Sequence, residues 1–136
     1  MVPQHVTYQG GLRSQVVHLP SKTELVTDAP TDNFGRGESF SPTDLVASAL
    51  ATCMITTMAI KSRNEAFKLD GTDIHVEKHM SSDQPRRIVK LVAHLTMPKG
   101  IPHEKRAWLE EIGNNCPVMK SIHPDIVADV KFNYPD

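Results

Sequence analysis

The chain has 136 residues, with 15 Lys and Arg against 16 Asp and Glu and a formal net charge of -1. Hydrophobic residues make up 39% and charged residues 23%, the mix of an ordinary globular protein, and the length fits one domain over residues 1–136. A domain of this size buries about two thirds of its unfolded surface, so neither disulfides nor a structural metal are needed for folding. The absence of any basic block argues against a nucleic-acid or anionic-membrane partner, and the small Pro85-Arg86-Arg87 cluster reads as a solvated strand end.

Residues 4–28 read as strands. Val6-Thr7-Tyr8 leads into the turn signal Gly10-Gly11, and an apolar run resumes from Leu12 to Leu19. Pro20-Ser21-Lys22 marks a second turn before Glu24-Leu25-Val26-Thr27, so the three pieces suggest an antiparallel meander. Residues 28–41 form a loop rich in Asp, Pro, Asn and Gly, carrying Gly35-Arg36-Gly37-Glu38. A loop of that length inside one domain points to function rather than simple connection.

Ser41-Pro42-Thr43-Asp44 looks like a helix start, with Ser41 at the N-cap, Pro42 at the first helical position and Asp44 three residues after the cap. The helix is expected to run to about Phe67. Leu45 to Ile60 lacks any charge, yet the run is shorter than the ~20 apolar residues a bilayer requires. A core helix buried on most sides is expected instead, emerging into solvent from Lys61 onward.

Ile74 to Met80 alternates as a strand with one wet face, bearing His75, Glu77 and His79. Arg87 to Met97 alternates with Val89, Leu91, Ala93, Leu95 and Met97 on the apolar face. His103 to Ile112 is an amphipathic helix stopped by Gly113-Asn114-Asn115. Cys116-Pro117 opens a short helix over Val118–Ile122, and Asp125 to Tyr134 is a last strand. The fold class is α+β.

Chemistry centres on the two cysteines. The opening Met1-Val2-Pro3-Gln4-His5 has no basic region followed by an apolar one, so a reducing, cytoplasmic setting is expected. Two lone cysteines there are either inert core residues or a working thiol pair. Cys116 precedes a helix-starting proline, where free N–H groups and the helix dipole favour thiolate. Cys53 lies in the middle of the apolar helix, where burial works against thiolate. Its own helix supplies no cation nearer than Lys61, leaving Arg13 and Arg36 as candidates. The seven histidines form no metal pattern with the cysteines, because His75 and His79 stand two pleats apart. No metal and no bound cofactor is expected; phosphate loops, dinucleotide fingerprints and nucleophile elbows are absent from the sequence.

Gly37-Glu38-Ser39-Phe40-Ser41-Pro42-Thr43-Asp44-Leu45-Val46-Ala47-Ser48-Ala49-Leu50-Ala51-Thr52-Cys53 resembles the first signature of the OsmC/Ohr family, and Asn115-Cys116-Pro117-Val118 resembles the second. The order of the other elements matches, so the resemblance covers essentially the whole chain, nearest to the OsmC-like branch. It implies an intertwined homodimer with antiparallel sheets around a long central cysteine-bearing helix. It also implies a thiol-dependent peroxidase that reduces organic hydroperoxides in oxidative stress defence, with hydrogen peroxide as a further candidate substrate. In that scheme Cys53 attacks the peroxide, Cys116 resolves the product, an external dithiol restores both, and Arg13 stabilises the thiolate. Where family peroxidases place Glu after the helix-starting proline, this chain has Thr43. Glu38 is expected to supply the carboxylate that positions Arg13, with Asp44 as the alternative. The departure at Thr43 leaves two other readings on the same fold, a small-molecule-binding dimer and a stress-associated dimer without small-molecule chemistry.

Overall fold

A computed structural model describes residues 1–136. The chain packs as two compact units, Met1–Leu45 and Val46–Asp136.

The first unit is built on a three-stranded antiparallel meander of β1 (Gln4–Gly10), β2 (Arg13–His18) and β3 (Thr23–Asp28), in that spatial order. Gly10 and Gly11 take positive φ at the first turn, which only glycine enters without cost. The tightness of that turn forces Leu12 to positive φ as well and leaves a bulge between Tyr8 and Gly10. In the β2–β3 register Arg13 stands opposite Asp28.

From Asp28 the chain enters the long loop, which folds back on the end of β3. Asp28 N–H donates to the Phe40 carbonyl at 2.9 Å, and Ser39 Oγ donates to the Val26 carbonyl at 2.7 Å. A Cβ at Gly35 would run into the Ala29 carbonyl, so the loop's return requires glycine there.

The loop ends in a capping box. Asp44 N–H donates to Ser41 Oγ at 3.1 Å, and Ser41 N–H donates to Asp44 Oδ2 at 2.8 Å. This starts α1 (Pro42–Lys61) at the expected proline. Burial along α1 is narrower than the sequence suggests. One stripe, Ala47, Leu50, Ala51, Met54 and Met58, is buried at helical spacing, while Ile60 is exposed. Apolar composition all round therefore does not translate into burial all round within this single chain. By length and composition alone α1 meets the requirement for crossing a bilayer, although its buried stripe is built into the core of the second unit.

The helix stops at Lys61, short of the expected Phe67. Buried Ser62 turns its hydroxyl back to the Met58 carbonyl at 2.9 Å, and Arg63 donates to the Ile60 carbonyl at 2.8 Å. The Met58 carbonyl also accepts the Ser62 N–H at 2.9 Å, so the two side chains add donors to carbonyls of the last turn.

The second sheet has the order β4 (Asp73–Met80), β5 (Ile88–Thr96), β6 (Val127–Asn133). It is mixed rather than purely antiparallel: β4 and β5 form a hairpin, but β6 runs parallel to β5. A parallel neighbour requires a crossover, and α2 (His103–Asn114) with the turns after it lies in that connection. Central β5 is the most buried strand, and Leu91, Ala93, Leu95 and Met97 join Leu50, Met54, Met58, Leu109 and Cys116 in one apolar cluster. The expected helix over Val118–Ile122 is only a single turn, held by Lys120 N–H to Cys116 O and Ile122 N–H to Val118 O, both 3.1 Å.

Candidate active site

Cys53 sits in the middle of α1, half-buried, beside the fully buried stripe. Its Sγ lies 3.9 Å from Thr57 Oγ1, one helical turn on. Thr52, by contrast, spends its hydroxyl on the Ser48 carbonyl at 2.7 Å. Cys116 follows α2 and is wholly buried in the same apolar cluster. Both are free thiols.

The two thiols are neighbours. The Cys116 thiol is pushed up from its ordinary value first by burial, and further by the hydrogen bond and charge of the Cys53 side chain. The Met119 N–H, 3.5 Å from Cys116 Sγ, pulls the other way, more than either effect of Cys53 but less than burial. The expectation of a thiolate-favouring helix N-terminus at Cys116 is therefore corrected. One turn offers little dipole, and desolvation of a wholly buried sulfur outweighs two backbone donors.

In the first unit Arg13 Nη1 donates to Glu38 Oε2 at 3.3 Å, with side chains 32% and 54% exposed. Of the two carboxylates considered for Arg13, Glu38 is thus the one brought to it, while Asp44 serves the capping box of α1. Arg36 is exposed in the loop, two residues before Glu38. Glu38 N–H donates to Asp28 Oδ2 at 3.0 Å, so a second acid supports the same segment. An open depression of about 290 Å³ is lined by Gly37, Glu38, Ser39, Phe40 and Asp44, and Phe40 and Phe34 present exposed rings on this loop.

On the outer face of β4, His79 and His75 reach the two oxygens of Glu77 at 3.0 and 3.2 Å. First the His79 and then the His75 hydrogen bond hold that carboxyl below its usual range.

Sequence reasoning passed over Asp28 and Thr57. The first was detectable by counting the meander register from Gly10-Gly11, which sets Asp28 against Arg13. The second was detectable as the hydroxyl four residues after Cys53 on a helix.

A family model described as OsmC-like protein matches residues 35–131. Among solved structures, a protein from Psychrobacter arcticus 273-4 assigned provisionally to osmotic stress induction and detoxification response is 42% identical. The match covers 97% of this chain and 96% of that one, with a TM-score of 0.91. An organic hydroperoxide resistance protein OsmC from Legionella pneumophila is 13% identical over 98% of this chain and 96% of its own, with a TM-score of 0.78. One from Elizabethkingia anophelis, also an organic hydroperoxide resistance protein, is 16% identical over 99% and 96%, with a TM-score of 0.79. At such identities these last two speak for the fold. Comparison with curated proteins gives no match.

Proposed function

The chain belongs to the OsmC-like protein family, and from that premise we propose that it is a thiol-dependent peroxidase reducing organic hydroperoxides through Cys53 and Cys116. The observation that carries this reading is the adjacency of two free thiols, one half-buried on a helix and the other wholly buried beside it.

In the proposed cycle the Cys53 thiolate attacks the O–O bond of ROOH. The S–O bond forms as O–O breaks, the departing alkoxide takes a proton and leaves as ROH, and Cys53 becomes a sulfenic acid. The Cys116 thiol then displaces hydroxide from that sulfur. Its proton leaves with the hydroxide as water, and a Cys53–Cys116 disulfide remains. An external dithiol reduces this disulfide by two exchange steps and is itself oxidised. Burial of Cys116 suits the resolving role, since a thiol kept protonated and shielded does not compete for peroxide.

We propose Arg13, which pairs with Glu38, as the cation that stabilises the thiolate and the polarising peroxide. We place the protein in the cytoplasm as a homodimer, a state that would cover the apolar side of α1 left open around Ile55, Ala59 and Ile60.

Stopped-flow oxidation of the reduced protein by an organic hydroperoxide and by hydrogen peroxide tests the reading. Rapid loss of two thiols with a Cys53–Cys116 disulfide, absent in Cys53→Ser, is the expected result. Oxidation no faster than a free thiol overturns it. Thr43 at the family's glutamate position favours a second reading, a ligand-binding dimer with unreactive cysteines, which an apolar compound copurifying with the protein would support.

A further inference from the structure

We infer that Asp28 is a positioning residue that holds both members of the Arg13–Glu38 pair. The inference rests on the peroxidase reading for its catalytic consequence, but not for its geometry. Asp28 closes β3 and is wholly buried. A buried carboxylate is costly to keep unless something compensates it, so its surroundings identify its work.

Three contacts define that work. Oδ2 accepts the Glu38 backbone N–H at 3.0 Å, which sets where the Glu38 side chain departs from the loop. The Asp28 N–H donates to the Phe40 carbonyl at 2.9 Å, so one residue grips the segment on both sides of Ser39. Across the β2–β3 register Asp28 faces Arg13, and cross-strand partners place their Cβ atoms roughly 5 Å apart on one sheet face.

The remaining valences match. Asp28 Oδ1 is a buried acceptor with no hydrogen-bond partner, and Arg13 Nε is a buried donor with none. An orphan acceptor and an orphan donor on directly opposed residues are complementary. A hydrogen bond between them would leave Nη1 for Glu38. Arg13 would then be held along two edges of its guanidinium by two carboxylates, one buried and fixed, the other on the loop. Glu38 alone, 54% exposed and making a single 3.3 Å contact, is a weak anchor for a cation that must keep one orientation.

The test combines the isosteric variant Asp28→Asn with a measurement on the unaltered protein. Asparagine retains an acceptor for the Glu38 N–H but removes the charge facing Arg13. Expected is a fall in kcat/KM for an organic hydroperoxide of at least about tenfold, carried mainly by kcat, with the circular dichroism of the folded protein unchanged. In the wild-type full chain, solvent exchange of the Arg13 Nε–H, followed by NMR, should be slower than that of exposed Arg36, and Asp28→Asn should abolish the difference. An Arg13 Nε–H exchanging as fast as that of Arg36 overturns the inference, as does a folded Asp28→Asn with kcat/KM within about twofold of wild type. If the wild type reduces no hydroperoxide, the functional reading fails by itself, and the exchange measurement still decides the role of Asp28. The same measurement decides it if Asp28→Asn does not fold.

Discussion

Arg13 and Glu38 stand 25 positions apart in the chain and meet in a single 3.3 Å contact at the rim of the long loop. Both side chains are partly exposed, so the pair adds only about 0–1 kcal/mol to stability, and its value lies in orientation. Glu38→Gln and Arg13→Gln are each expected to lower kcat/KM for an organic hydroperoxide by about ten- to hundredfold while moving Tm little. The double variant should lose little more than either single one, because the two act as a unit; a double-mutant cycle checks this. Arg13→Lys should not restore the rate, since an ammonium lacks the planar fork.

Burial raises the Cys116 thiol above its ordinary value, and this has a consequence for stability against pH. A folded-state value above the unfolded one means that the contribution is fully present below the unfolded value. It is lost as pH rises through the folded value. The reduced wild type should therefore lose stability progressively on the alkaline side of an ordinary thiol, and Cys116→Ala should show a shallower decline there. Urea midpoints measured from about pH 7 to pH 11 compare the two slopes.

Met58 packs directly over Gly113 in α2. A Cβ on Gly113 would stand 2.9 Å from Met58 Sδ and 3.4 Å from its Cγ. Alanine gains about 1 kcal/mol of helix propensity over glycine, and a thioether yields readily, so Gly113→Ala should be close to neutral. Gly113→Val adds branching against a wholly buried Met58 and should destabilise by about 1–3 kcal/mol. Thermal unfolding of both variants separates backbone propensity from crowding.

The capping box gives a fourth expectation. Ser41→Ala removes the acceptor for the Asp44 N–H at a buried helix start, which should cost about 1 kcal/mol in chemical denaturation. Ser41→Gly should cost less, because without a Cβ the site opens to water, which can accept from the Asp44 N–H.

The strands and the helix start were legible because their signals are local. Gly10-Gly11 and Pro20-Ser21-Lys22 punctuate the meander, alternation marks β4 and β5, and Ser41-Pro42-Thr43-Asp44 spells out its own cap. The two cysteines were legible as candidates from their scarcity and setting. Errors arose where a local rule met a longer-range fact. The proline after Cys116 pointed to a thiolate-favouring helix start, but the sulfur is buried in the core cluster and desolvation outweighs the backbone donors.

Residue identity alone determined which groups are present to do chemistry: two thiols, an arginine after a tight turn, and a glutamate following Gly37. Tertiary structure decided their states. It put Cys116 beside Cys53 in an apolar cluster, so desolvation rather than a helix dipole governs its thiol. It gave Arg13 to Glu38 and reserved Asp44 for the helix cap. It also buried Asp28 opposite Arg13. Period and punctuation are written in neighbouring residues, whereas burial, proton affinity and pairing depend on atoms brought together from distant parts of the chain.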